Sequence, residues 1–257
     1  ESLRPGWQML MLSYRTQGFH LLYPYPRADL EALRDEIARW DSTRARLVDS
    51  QNLFEGKQAI VQAYLLGLTS WRLEEEEAIE VHVAELDRWD AAQPDDSLAY
   101  SLARTLEGLL AWQRGETDRA LDALDAAWLR FPDWTFSLGF HDEPLVRYLR
   151  AEILYEAERY EEALAWYASL DDGGTPEEAR TGVFYLGPSY LRRAQIYEQL
   201  GDEERAVDFY TRFIELWKEC DPELQPQVEA AQERLDRLLD GAVREPGDIV
   251  RPGASSQ

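Results

Sequence analysis

The alternation of apolar and polar residues between Tyr190 and Trp217 predicts two short amphipathic helices folded against each other. The first helix carries apolar residues at helical spacing and ends at Gly201, because glycine readily adopts the left-handed conformation found at helix ends. The second helix has one apolar side, formed by Ala206, Val207, Phe209, Tyr210, Phe213 and Trp217. Ala194 and Ala206 lie where the two helices would touch. The stretch is therefore predicted to form a helical hairpin.

The same pattern recurs upstream at a constant spacing. Small residues stand 43 residues apart in the first helix of each unit, at Gly108, Ala151 and Ala194, and in the second helix, at Ala120, Ala163 and Ala206. Gly67 precedes Gly108 by 41 residues, which adds a slightly shorter unit on the N-terminal side. Spacing that is kept over several copies indicates a repeat architecture, in which each hairpin buries its apolar face against the next.

This unit resembles a tetratricopeptide repeat of bacterial type with long connections. The resemblance is carried by Ala194, Tyr197, Gly201, Ala206, Tyr210 and Phe213, while Glu158 stands where the preceding unit should have its turn glycine. It implies an all-α fold, a right-handed α-solenoid of stacked helical hairpins that coils into a superhelix. The family period is about 34 residues, and a period of about 40–47 also fits HEAT-type repeats, which remain the alternative packing.

Three segments are expected along the chain. Residues 1–50 are predicted to form a helical pair, a diverged repeat or a cap, whose second helix covers Asp29–Val48 with an apolar stripe at Leu30, Leu33, Ile37, Trp40 and Leu47. Residues 51–240 hold the repeats and end in a capping helix near Val228–Leu239. Residues 241–257 have the composition of a flexible tail. The chain begins at Glu1 without a methionine, so its N-terminus is expected to be processed or truncated.

Two connections between the units are unusually apolar. Residues 131–140 contain Trp134, Phe136 and Phe140, which are expected either to fold back onto the helices or to form a patch for a partner. The second connection contains Val183–Leu186, which is expected to pack in the core. Here Thr175–Arg180 would add an extra turn, and a new helix would start within Gly187–Leu191.

Charge and cysteine content exclude several classes of protein. Lys and Arg number 27 against 50 Asp and Glu, for a net charge of −23, which opposes binding to nucleic acid or to anionic membranes. No apolar run approaches the roughly 18 residues of a membrane-spanning helix, so direct insertion is not expected. Cys220 is the one cysteine, which excludes an internal disulfide framework. A soluble protein of the cytoplasm or the periplasm is equally consistent with this sequence.

No constellation of residues for catalysis or metal binding is found. His20, His82 and His141 fall in different units without metal-ligand spacing, and Asp142 is better interpreted as a helix N-cap before Pro144. No nucleotide-binding or nucleophile motif occurs. We therefore expect no cofactor, no metal and no enzymatic activity.

The resemblance to the repeat family implies a concave groove lined by the first helices. Placed on this sequence, its inward-facing positions are Thr105, Leu109, Trp112 and Gln113 in the third unit, Tyr148, Glu152 and Tyr155 in the fourth, and Leu191, Gln195 and Glu198 in the last. This lining lacks the Lys and Asn cluster by which some members hold a peptide carboxylate. Arg192 and Arg193 are the nearest cations and are expected on a solvated face.

A protein-interaction scaffold is the expected function. Its groove would bind a peptide or a helical segment of a protein partner, as a sensory or adaptor module of a larger bacterial regulator. The alternative is a structural subunit that self-assembles into a homo-oligomer through its aromatic connections or its tail.

Overall fold

The computed structural model describes residues 25–40, 57–95, 97–129, 143–171 and 176–244, and within these ranges the chain is all-α, without strands. The helices are α1 (Arg27–Arg39), α2 (Gln58–Arg72), α3 (Glu76–Ala92), α4 (Leu98–Gln113), α5 (Thr117–Leu129), α6 (Glu143–Glu156), α7 (Tyr160–Ala168), α8 (Pro176–Gln199), α9 (Glu203–Trp217) and α10 (Gln225–Arg244). The predicted all-α class is confirmed, and the arrangement in hairpins is consistent with a helical solenoid. The chain divides into an N-terminal unit, residues 1–189, and a C-terminal unit, residues 190–257.

Four hairpins share one turn geometry. The helix pairs α2/α3, α4/α5, α6/α7 and α8/α9 are each joined through a residue in the left-handed region, with φ values of 60° at Glu74, 74° at Gly115, 57° at Glu158 and 73° at Gly201. These residues follow one another at intervals of 41, 43 and 43. The left-handed positions therefore repeat with the same spacing as the small residues of the sequence pattern, and Glu158 takes the backbone conformation of the glycine that it replaces.

The same main-chain hydrogen bond closes each turn. In every hairpin, the amide after the left-handed residue donates to the carbonyl oxygen five residues earlier, at 3.0 Å for Glu75 to Ser70 and at 2.9 Å for Glu116 to Ala111, Arg159 to Leu154 and Asp202 to Tyr197. This six-to-one hydrogen bond defines a Schellman motif, which satisfies a carbonyl left open at the helix end. The acceptor residues are also spaced by 41, 43 and 43.

Small residues allow the helices of the N-terminal unit to approach closely. A Cβ atom added to Gly108 would lie 3.1 Å from the Leu124 side chain and 3.2 Å from the Ala120 carbonyl oxygen, so α4 contacts α5 at this point. A Cβ on Gly67 would lie 2.4 Å from Leu106, where α2 meets α4. The equivalent Ala151 is fully buried. Ala194 and Ala206, the pair predicted to lie where two helices touch, are both buried in one core, which confirms that prediction.

The C-terminal unit has a core of its own. Its buried residues are Ala194, Ala206, Phe209, Tyr210, Phe213, Val228, Ala231 and Leu235. They come from α8, α9 and α10, so α10 covers the apolar side of the last hairpin, as expected of a terminal helix. This helix continues to Arg244, four residues into the segment that was predicted to be a tail.

The first described helix is shorter than expected. Helix α1 ends at Arg39, and Trp40 has an extended backbone with a ψ angle of 120°, so the helix predicted to reach Val48 is shorter. Trp40 is buried together with Leu30, Leu33 and Ile37, although it lies just after the helix. The apolar stripe in the sequence therefore continues past the end of the helix. Leu47, the first part of the 1–50 segment and residues 131–140 lie outside the described residues.

Helix α8 is one continuous helix where a separate turn and a new helix start at Gly187–Leu191 were predicted. Pro188 lies inside it and removes one helical hydrogen bond. Burial on both sides of the proline offsets this loss, since Tyr185 and Ser189 are both buried. The Ser189 hydroxyl lies 3.4 Å from the Tyr167 carbonyl oxygen. Tyr185 packs in the core as expected, while the side chains of Val183 and Phe184 are outside the described residues.

The left-handed turn generates a stability prediction. Replacing Glu158 by glycine should raise the free energy of unfolding by about 1 kcal/mol, because a left-handed conformation is unfavourable for any residue with a Cβ atom. Urea unfolding followed by circular dichroism measures the change.

Ala165→Gly is the matched control for this substitution. Ala165 is exposed within α7, where glycine should cost about 1 kcal/mol. A decrease in stability for Glu158→Gly, similar to that of the control, would contradict the assigned turn conformation.

Candidate functional site

Aromatic residues occupy the same repeat position at the end of the first helix in three successive hairpins. Trp71, Trp112 and Tyr155 lie three residues before the left-handed turn residue, at intervals of 41 and 43, and all three side chains are partly exposed. We refer to these three residues as the aromatic row. The equivalent residue of the last hairpin is Glu198. The row thus belongs to the N-terminal unit.

Contacts hold Trp112 in the centre of the row in a defined orientation. The ring centroids of Trp71 and Trp112 are 5.6 Å apart, with an angle of 31° between the ring planes. On the other side, the Trp112 Nε1 group donates a hydrogen bond of 2.6 Å to Glu156 Oε2. Tyr155 packs near Tyr160, with 6.1 Å between the ring centroids. The turn ends of α2, α4 and α6 therefore present aromatic surface with fixed ring orientations.

Gln113 follows Trp112 and is the polar member of the predicted groove in this region. Its side chain is partly exposed, but its Oε1 atom is buried and makes no hydrogen bond within the described part of the chain. A buried acceptor without a donor is unfavourable. A polar side chain beside an aromatic surface is a combination that is common in binding sites, where the polar group orients the ligand and the rings contact its apolar part.

Four of the other predicted groove residues are enclosed. Thr105, Leu109, Tyr148 and Glu152 have exposures of 0%, 1%, 3% and 6%. The Thr105 hydroxyl donates to the carbonyl oxygen of Ser101 in its own helix. These four positions therefore present little surface to a partner in this structure.

Residues of α7 and α8 explain the burial on α6. Tyr148 stacks on Tyr185 with 5.2 Å between centroids and packs edge-on against Tyr167. The Tyr167 hydroxyl donates to Glu152 Oε1 at 2.5 Å. The N-terminal part of α8, which the sequence pattern did not predict to be helical, brings Tyr185 over this face. The groove positions implied by the family resemblance assume a repeat without this additional helical segment.

In the C-terminal unit, the predicted groove residues Leu191 and Gln195 are partly exposed on α8. Leu191 also packs against the core of the unit. The Gln195 side-chain oxygen accepts a hydrogen bond of 3.2 Å from Arg192. Both residues lie on one side of the helix, as their spacing of four residues requires.

An arginine stacked on an aromatic ring recurs in the last two hairpins. The Arg150 guanidinium lies 4.3 Å from the centre of the Trp166 ring, and that of Arg193 lies 4.0 Å from the Phe209 ring. Both members of the pair are displaced by 43 residues. The expectation that Arg193 is solvated is wrong, because its residue exposure is 9% and the guanidinium covers an apolar ring. In the sequence, this contact could have been recognised because an Arg and an aromatic residue both recur after 43 residues.

The comparison with known families agrees with this geometry. A family model described as tetratricopeptide repeat matches residues 187–217. The chain contains a tetratricopeptide repeat. No curated protein and no solved structure matches the chain. The three upstream hairpins share the turn hydrogen bond of the matched repeat, although the family model does not cover them.

A partly buried polar network connects the helices of this tetratricopeptide repeat. The Tyr210 hydroxyl donates to Glu198 Oε2 at 2.6 Å, and Arg234 of α10 donates to the same oxygen at 2.8 Å. Burial raises the pKa of Tyr210 well above its usual range, and the hydrogen bond to the Glu198 carboxylate raises it further. The network joins α8, α9 and α10.

Side-chain clusters for metal ions and helices able to span a membrane were the remaining features of interest in the described part of the chain. The described residues contain no group of three His, Cys, Asp or Glu side chains placed to hold a metal ion. Burial lowers the pKa of His82, whose nearest carboxylate, Glu85, is 3.7 Å away. None of the helices in these ranges is long and apolar enough to cross a membrane.

The network around Tyr210 generates a prediction on stability and pH. Tyr210→Phe should lower the free energy of unfolding at pH 7 by about 1–2 kcal/mol, because it removes a hydrogen bond to a carboxylate. The folded state binds the Tyr210 proton more tightly than the unfolded state, so this contribution is complete below the ordinary tyrosine pKa of about 10 and decreases above it.

Urea unfolding of the original protein and of Tyr210→Phe between pH 7 and pH 11 measures both effects. The difference in stability between the two proteins should become smaller above pH 10. A difference that is constant over this range would contradict the assigned hydrogen bond.

Proposed function

We propose that the protein is an interaction module that binds an apolar peptide or helical segment of a protein partner at the aromatic row. The tetratricopeptide repeat suggests a protein-interaction role in general. The observation that supports this particular surface is the recurrence of Trp71, Trp112 and Tyr155 at one repeat position with partial exposure. Large, rigid aromatic side chains supply much of the binding energy at protein interfaces.

Pre-organisation favours this surface over other exposed apolar residues. The tilted contact with Trp71 and the hydrogen bond to Glu156 hold the Trp112 ring before a partner arrives. A ring that is already fixed loses little conformational entropy on binding. The partly exposed side chain of Gln113 beside it adds a polar group next to the ring at the edge of this surface.

The enclosed residues of the original groove have a supporting role in this proposal. Thr105, Leu109, Tyr148 and Glu152 hold α4 and α6 in place, and the surface for the partner is formed by Trp112, Gln113 and Tyr155. In the C-terminal unit, Leu191 and Gln195 form the corresponding surface on α8.

The wider role that fits such a surface is that of a non-enzymatic scaffold or adaptor. A sensory module of a larger bacterial regulator is the form that we favour. The net charge of −23 makes a neutral or basic protein a better partner than an acidic one or a nucleic acid.

Peptide display against the immobilised full-length chain tests the proposal. A selected peptide is labelled with fluorescein, and its binding is measured by anisotropy. Combining Trp112→Ala with Tyr155→Ala should weaken binding by roughly a hundredfold, because truncating aromatic anchors typically costs about 2 kcal/mol or more at such sites. Melting temperatures establish that the variant is folded.

Trp89→Ala is the matched control, since Trp89 is a partly exposed tryptophan of α3 outside the row. Equal binding by the double variant and the original protein would contradict the proposed surface. Light scattering over a range of concentrations addresses self-assembly through the patch of Trp134, Phe136 and Phe140. If the double variant still forms an oligomer, and if substitution of this patch dissociates that oligomer, the results would favour a self-assembling structural subunit instead.

A further inference from the structure

A cleft in the N-terminal unit lies away from the aromatic row, between the second helices of two successive hairpins. It is formed by α5, α6 and α7 and has a volume of about 270 Å³. Its lining consists of Asp118, Leu121, Asp122, Asp125, Arg150, Leu154, Arg159, Glu162 and Trp166. We refer to it as the acidic cleft. No residue of the aromatic row takes part in it.

The acidic cleft combines an apolar floor with charged walls. Leu121 and Leu154 are buried, and Trp166 is partly exposed. One face of the Trp166 ring already carries a guanidinium, that of Arg150. Floors of this kind accommodate the methylene groups of long basic side chains, whose charged ends reach toward carboxylates.

Carboxylates outnumber guanidinium groups in the acidic cleft by four to two. Arg159 is engaged mainly by Glu162, through two hydrogen bonds of 2.7 Å. Asp118 is 94% exposed and lies 3.3 Å from the same arginine. Asp122 is exposed and makes no hydrogen bond or ion pair within the described part of the chain. The cleft therefore has an excess of negative charge that its own arginines leave uncompensated.

A buried donor in the acidic cleft is a second, independent sign of a ligand. Arg150 has a residue exposure of 8%, and one of its terminal nitrogens donates to Asp125. Its Nε atom is buried and has no hydrogen-bond partner within the described residues. Because leaving a buried charged donor unsatisfied is unfavourable, an acceptor supplied by a bound molecule would stabilise this arrangement.

We infer that the acidic cleft binds a lysine or arginine side chain of an extended basic segment in a protein partner. The methylene groups lie mainly on Trp166, the partly exposed apolar residue of the lining, and the cationic group contacts Asp122 and Asp118. The Arg150 Nε group is enclosed in the free protein, so a main-chain carbonyl of the segment reaches it once the guanidinium shifts on the Trp166 ring. A peptide offers the cation, the apolar stem and the carbonyl together.

Charge complementarity excludes an acidic segment as the occupant. An anion that reached the two arginines would displace Asp125 and Glu162 from their ion pairs and would leave four carboxylates around a negative ligand. The net charge of −23 also attracts a basic partner over longer distances at low salt. This binding is separate from the proposed binding at the aromatic row.

The test uses the full-length chain and a fluorescein-labelled heptapeptide of alternating glycine and arginine. Peptides with glutamine or glutamate in place of arginine are the comparison probes. Anisotropy should show binding of the arginine peptide and little binding of the other two. Combining Asp118→Asn with Asp122→Asn should weaken binding by roughly tenfold, because two contacts to the cation lose their charge.

Glu229→Gln with Glu233→Gln is the matched control. Both glutamates are exposed on α10 in the C-terminal unit, and the pair changes the net charge by the same amount. This control should change the affinity less than twofold. Combining Trp112→Ala with Tyr155→Ala should also leave binding of the arginine peptide intact, which separates the two sites.

A variant that is expected to bind the arginine peptide more tightly is included, because misfolding could explain a loss of binding but not a gain. Arg159→Gln removes the guanidinium that competes for Asp118 and Glu162, so binding of the arginine peptide should strengthen by roughly threefold or more. If the cleft pair and the control pair of substitutions weaken binding of the arginine peptide equally, the inference would be overturned, because the net negative charge of the protein would then explain the binding. Preference for the glutamate peptide, absence of binding, or weaker binding by Arg159→Gln would overturn it as well.

Discussion

The structure depends on a backbone constraint that recurs four times, a residue in the left-handed region that closes each helical hairpin. Each first helix must end where its second helix can fold back, and the Schellman hydrogen bond sets this point to within one residue. Gly115 and Gly201 adopt the conformation at little cost, whereas Glu74 and Glu158 adopt it against the preference of residues with a Cβ atom. Packing of the hairpins maintains the conformation at these two turns, where the local sequence alone would not favour it.

Both surfaces with a proposed role follow from this register. Because the turns recur at nearly constant intervals, equivalent positions of successive first helices come together, and Trp71 contacts Trp112 although 41 residues separate them. The same register brings α5 and α7 to the sides of the acidic cleft. A family of hairpins with one geometry can therefore carry two binding surfaces of different chemistry, one aromatic and one acidic, without altering the core.

The hairpins could be predicted from the sequence because their signals are local and periodic. Small residues, turn glycines and apolar stripes recur every 41 or 43 residues, and even the position of Glu158 was identifiable by counting. Features that depend on tertiary packing could not be predicted. The burial of Tyr148 under Tyr185 required a helix that runs through Pro188, and the cleft combines side chains of three consecutive helices whose relative packing is tertiary. Burial of Arg193 over Phe209 likewise depends on a contact between helices.

The backbone conformation at Glu74 and Glu158 tests the central claim most directly. In a protein labelled selectively at glutamate, the intensity of the nuclear Overhauser cross-peak between the amide and α protons of one residue reports whether φ is positive, because these two protons are closest when φ is positive. The account predicts strong intraresidue cross-peaks for Glu74 and Glu158 and weak ones for the helical Glu76 and Glu161. Weak cross-peaks at all four glutamates would mean that φ is negative at Glu74 and Glu158, and would contradict a common turn as the basis of the repeat.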